Sequence, residues 1–169
     1  MRTAAVQWFR RGRDRERERE SPTPAAADGD SPAALREAMY RLNRYINRNS
    51  GRLPVESVVA ARQVTDVTRE IIDTSEVRDL DIYAVISVKG ILTDYLPTTL
   101  QRYLALDPST VTVARPSGGN PRDSLREQLE SLIDAASNVL VATHEQDADA
   151  LITQGNFLRT KFSGSDLDL

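Results

Sequence analysis

The stretch Ile82 to Leu106, IYAVISVKGILTDYLPTTLQRYLAL, constrains the fold most, because it is the richest apolar run in the chain and yet is too interrupted to cross a membrane. Lys89, Asp94 and Pro97 break it well short of the roughly 20 apolar residues that a spanning helix needs. Its apolar positions, Ile82, Val85, Ile86, Val88, Ile91, Leu92, Tyr95 and Leu96, cover more than one helical stripe. A helix apolar on several sides belongs in the middle of a bundle. Pro97 lacks the N–H that would bond the Thr93 carbonyl, so the sequence predicts a kink, or a stop and restart, with Leu96 biased away from helical dihedrals. Thr98 and Thr99 carry hydroxyls suited to the carbonyls freed in the preceding turn. Gly90 costs about 1 kcal/mol relative to alanine in a helix interior and so points to a close helix crossing.

Helical spacing recurs on both sides of this stretch. Ser31-Pro32 reads as the N-cap and first turn of a helix that buries Leu35, Met39, Leu42 and Ile46 and stops at Ser50-Gly51. A second helix starts at Pro54, carries Val59, Ala60, Val64, Val67 and Ile71 on one face, and ends near Thr74. The third begins around Asp79 to Asp81, whose charges suit a helix N-terminus. Asn120-Pro121 with Asp123 opens the longest, where Leu125, Leu129, Leu132, Ala136, Val139 and Thr143 repeat in four-three alternation. Leu151, Gly155, Leu158 and Phe162 continue that stripe slightly out of phase.

Residues 107–120 are dense in Pro, Ser and Gly and read as a linker, in which Val111-Thr112-Val113 has no strand to pair with. The length suits one domain with a real core. The expected fold is therefore all-α: an irregular bundle of about four helices over residues 31–163, the third broken at Pro97. A disordered tail, 1–30, precedes it and an acidic end, 164–169, follows it.

Charge is unevenly spread. Residues 1–20 hold seven arginines against four acids, and the rest of the chain holds fifteen Lys and Arg against twenty-one acids. An acidic folded part argues against a nucleic-acid partner, whose usual footprint is a basic face. There is no cysteine, so disulfides and thiolate metal sites are excluded, which fits a cytoplasmic protein. No apolar run of about 7 to 15 residues follows Met1, so no signal peptide is expected. Trp8 and Phe9 beside Arg10, Arg11 and Arg13 suggest peripheral contact with an anionic membrane surface.

Reactive constellations are sparse. The one histidine, His144, is followed by Glu145, Asp147 and Asp149, but the segment lacks the second histidine of an H-E-x-x-H site and the glycine of a calcium loop. A solvated helix face or local break accounts for it. Ser117-Gly118-Gly119-Asn120 lacks the Gly-Lys-Ser/Thr of a phosphate loop and reads as flexible linker. No catalytic, metal or cofactor residue is assigned from the sequence.

The hexapeptide Tyr95-Leu96-Pro97-Thr98-Thr99-Leu100, followed by Tyr103, resembles the Y-L-P-T-T-L signature of the XpaC family, bacterial proteins named for hydrolysis of a chromogenic indolyl phosphate. The likeness extends loosely from about Val64 to Phe162, with only the hexapeptide specific. It implies a helical protein, without established catalytic residues, of a kind that often occurs beside toxic-anion-resistance (TelA-like) proteins. Here the chain lacks the hydrophobic N-terminal spans of many members and carries Asp94 before the tyrosine, so membrane integration does not carry over. The resulting expectation is a non-enzymatic adaptor or scaffold with a protein partner, its surface near Tyr95, Leu96, Pro97, Thr98, Thr99, Leu100 and Tyr103. Phosphate-ester hydrolysis, direct or associated, and a membrane-surface role for the N-terminal tail are the alternatives. The oligomeric state is left open.

Overall fold

The computed structural model describes residues 29–114 and 119–163. All regular structure among them is helical. The elements are α1 (Pro32–Asn49), α2 (Val55–Asp73), α3 (Ile82–Gly90), a π-helical segment (Ile91–Tyr95), α4 (Leu96–Leu104), α5 (Pro121–Glu145) and α6 (Ala148–Ser163), with single 3-10 turns after α1 and α2. Because α3, the π segment and α4 follow one another without a break, they form one rod, and the described residues make a bundle of five helices, close to the four or so expected.

Caps written in the sequence set most boundaries. The Ser31 side chain accepts from the Ala34 N–H at 3.2 Å, Asp81 from Tyr83 at 2.8 Å and Asn120 from Asp123 at 2.9 Å, each satisfying a donor that a first turn leaves unpaired. Pro32 and Pro121 sit in first turns, where a missing N–H costs nothing. Gln146 ends α5 with a left-handed φ of 58°. That turn makes the α5 stripe and the Leu151–Phe162 stripe two helices, and Asp147 then caps α6 by accepting from the Ala150 N–H.

Cross-helix contacts fix the directions. Asn43 with Thr65, and Arg36 with Asp73, make α1 and α2 antiparallel. Lys89 with Asp30, and Arg52 with the Leu104 carbonyl, run the rod parallel to α1. Arg122 with Glu56 brings the starts of α2 and α5 together, and Lys161 with Ser131 sets α6 antiparallel to α5. The chain therefore runs up, down, up, down, up, with α2 beside α5 and the rod packed on α1, α5 and α6.

The core is aliphatic: Leu35, Met39 and Ile46 of α1, Ile71 and Ile72 of α2, and Leu129, Leu132, Leu151 and Leu158 of α5 and α6 are essentially inaccessible. The predicted α1 and α5 stripes are buried in full. On α2 the expected face is met in part: Val64 and Ile71 are buried and Ala60 and Val67 pack half-buried against the core. Ser57, Ala61, Val64, Thr65, Thr68, Ile71 and Ile72 point inward, whereas Val59 is 62% exposed. Two buried threonines make the turn legible only once their hydroxyls are seen to bond the helix's own carbonyls, Thr65 to Arg62 and Thr68 to Thr65. The rod is central, but its first turns are not covered: Ile82 and Ile86 are each 56% exposed.

Candidate functional site

The hexapeptide begins where the rod changes its winding. Leu96 donates to the carbonyl of Ile91, five residues back, and keeps helical dihedrals (φ −67°, ψ −46°). The expected break at Pro97 does not occur. A proline ring clashes with the carbonyl four residues earlier in an α-helix, and the wider π turn relieves this while the axis continues. Of the expected threonine contacts, Thr98 reaches the Asp94 carboxylate at 3.4 Å rather than a carbonyl, and it is Thr93 that bonds backbone, donating to Lys89 at 2.8 Å.

The helical winding divides the motif into two faces. Leu96, Thr99, Leu100 and Tyr103 are buried, while Tyr95, Pro97 and Thr98 are half-buried. Thr99 and Tyr103 meet Pro121 and Leu125 at the start of α5. Burial pushes the Tyr103 phenol above its ordinary pKa. The Tyr95 ring lies against Phe162 of α6, centroids 5.6 Å apart and planes tilted by 33°. Its phenol is also raised, first by burial and then by the Asp94 carboxylate, with Arg159 opposing.

Pro97 borders a groove of about 300 Å³ between α1 and the rod. Ala38, Leu42, Leu92 and Pro97 give it an apolar lining, and Arg41, Tyr45 and Thr93 complete it. The Arg41 side chain, the charged member of the lining, is 60% exposed and shares the Glu37 carboxylate with Arg44 at 3.8 and 3.5 Å. Sequence reasoning placed the candidate surface on the motif alone and missed the α1 half of this groove. The small Ala38, one position from the stripe residue Met39, was the available signal.

A second cleft, of about 310 Å³, lies between the α2–α3 turn and the end of α5. Arg78 crosses it and donates to the Thr143 carbonyl, which ties the turn to α5 and gives this arginine a structural task. His144 is exposed on the last turn of α5 and Asp147 lies beyond the break, so they share no helix face. Among the described residues no group of three or more His, Cys, Asp or Glu is placed to hold a metal ion. No helix among them is long and apolar enough to cross a membrane. Trp8, Phe9, Arg10, Arg11 and Arg13 lie outside the described residues. Compared with known proteins, the chain matches no family model, no curated protein and no solved structure.

Proposed function

We propose that this chain is a non-enzymatic helical adaptor that holds a helical segment of a protein partner in the groove between α1 and the rod. The supporting observation is the groove itself: an apolar lining of Ala38, Leu42, Leu92 and Pro97 beside an exposed arginine. Amphipathic helices lay their apolar face into such grooves with anchors at i, i+3 and i+4. The exposed Arg41 at the groove favours a partner helix that brings an acid to it. On the strength of the hexapeptide's resemblance, a protein of the toxic-anion-resistance type is the first partner to try. The indolyl phosphate phenotype of the resembling family is then indirect.

The absence of cysteine allows one to be introduced at Thr93 and carry a photo-crosslinker. With a purified toxic-anion-resistance protein, the probe at Thr93 yields a defined adduct, Arg41→Glu suppresses it, and the same probe at Arg69 on the exposed side of α2 yields none. Equal yields from both positions would defeat the proposal. A purified chain that turned over a phosphomonoester, with or without divalent metal, would replace it with hydrolysis.

A further inference from the structure

The head of α3 presents an apolar cleft beside a patch of uncovered side chains. About 320 Å³ in volume, it is lined by Pro32, Leu80, Ile82 and Val85, with Asp30 and Asp79 at its edge. Ile82 and Ile86 are each 56% exposed and Tyr83 between them 40%, so the lining continues onto an open helix face. Contiguous exposed apolar surface of this kind marks a place where something binds. Its surroundings are acidic. Asp30 is neutralised by Lys89 at 2.6 Å, and Asp73 and Glu76 share Arg36, but among the described residues Asp79 and Asp81 make no ion pair.

The chain supplies a matching occupant. Asp30 itself lines the cleft, so the residues that precede it in the chain are tethered at its edge. Phe9 and Gly29 are twenty positions apart. Random-coil statistics for that separation give a distance on the order of 25 Å, a reach that includes the cleft. Residues 6–13, VQWFRRGR, place an apolar valine and two aromatics directly before three arginines. Tethering supplies an effective concentration in the mM range, so even a weak contact is populated.

We propose that the cleft at the head of α3 is the docking site of this chain's own N-terminal segment, residues 6–13. Trp8 and Phe9 cover Ile82 and Leu80, and Arg10, Arg11 and Arg13 face Asp79 and Asp81. This cis contact shields the open face of α3 and is independent of the groove assigned to a partner.

Trp8 is the sole tryptophan, so its emission reports the contact in the full-length chain. The expected result is emission blue-shifted from that of a synthetic peptide of residues 1–20, at all protein concentrations and without lipid. Ile82→Asp returns it to the peptide's position, and salt at 1 M moves it partway. An aspartate at the first position of α3 suits the helix N-terminus, so circular dichroism stays unchanged. Independently, Trp8→Cys with Ile82→Cys forms an intramolecular disulfide under mild oxidation, and Trp8→Cys with Val141→Cys, on an exposed α5 position, does not. Emission equal to the peptide's, or equal cross-linking at both positions, overturns the proposal. A shift that grows with protein concentration assigns the occupant to a second copy, and one that needs anionic phospholipid vesicles assigns it to lipid; either also overturns it.

Discussion

The ring of Tyr95 lies over Gly90, where an added Cβ would come within 2.8 Å of its Cε2 and 3.3 Å of its Cζ. The close approach that Gly90 permits is thus made by a side chain of its own rod, five residues on, and not by a crossing helix. The π segment from Ile91 to Tyr95 lies between them. In an α-helix, positions three and four apart face each other. The wider turn brings the fifth into that place.

Gly90→Ala therefore reverses the usual gain from replacing a helix glycine. Helix propensity contributes about 1 kcal/mol in its favour, but displacing a ring wedged against Phe162 costs about 1 to 3 kcal/mol. Urea unfolding is expected to show a net loss of about 1 kcal/mol. In a Tyr95→Ala background the same change stabilises by about 1 kcal/mol, since nothing then occupies the space. A gain in both backgrounds would show that the ring yields without cost.

Gly155 behaves in the opposite way. Its added Cβ meets only Ser87 Oγ at 3.5 Å, an ordinary contact, so Gly155→Ala is expected to stabilise α6 by about 0.5 to 1 kcal/mol. The Ser87 hydroxyl is itself buried without a hydrogen-bond partner among the described residues, as is that of Ser57. Ser87→Ala removes an unsatisfied group, a gain of about 1 kcal/mol. Equilibrium denaturation of the two single variants and the double tests both, and a destabilising Ser87→Ala would mean the hydroxyl has found a partner.

The pair between Glu56 and Arg122 predicts a pH dependence. The Glu56 carboxyl is held below its ordinary value of 4.5 by its own backbone N–H and by the Arg122 guanidinium, at 2.8 Å from Nε. A carboxylate depressed in the folded state contributes stability above its unfolded pKa and loses it as pH falls through the folded one. Glu56→Gln should therefore lower the thermal midpoint at pH 7, and the gap to the unaltered chain should close below pH 4.5. Both side chains are about half exposed, so added salt shrinks the effect. A gap that persisted in acid would assign it to packing.

The all-helical class, the caps at Ser31, Asp81 and Asn120 and the stripes of α1 and α5 were legible because local spacing and side-chain chemistry determine them. Four features were not. The α2 face was misread at Val59 because valine marks a core position by hydropathy alone, whereas Thr65 and Thr68 are buried through bonds to their own helix. The fifth helix was merged with the fourth because Gln146, unlike glycine, does not announce a left-handed turn. At Pro97 the rule that proline breaks a helix assumes α winding. The π turn before it removes the clash, and no local signal distinguishes that outcome from a kink. The groove beside Pro97 depends on α1 and the rod meeting across fifty residues of sequence, a relation that periodicity does not encode.

The parallel alignment of α2 and α5 has a kinetic consequence. Glu56 and Arg122 are 66 positions apart, and the α2–α5 interface cannot close until the whole rod and the 107–120 segment have been gathered between them. Only the α1–α2 and α5–α6 hairpins are local. Closing the α2–α5 pair is therefore a non-local step, and the bundle should fold more slowly than one built from sequence-adjacent helix pairs alone.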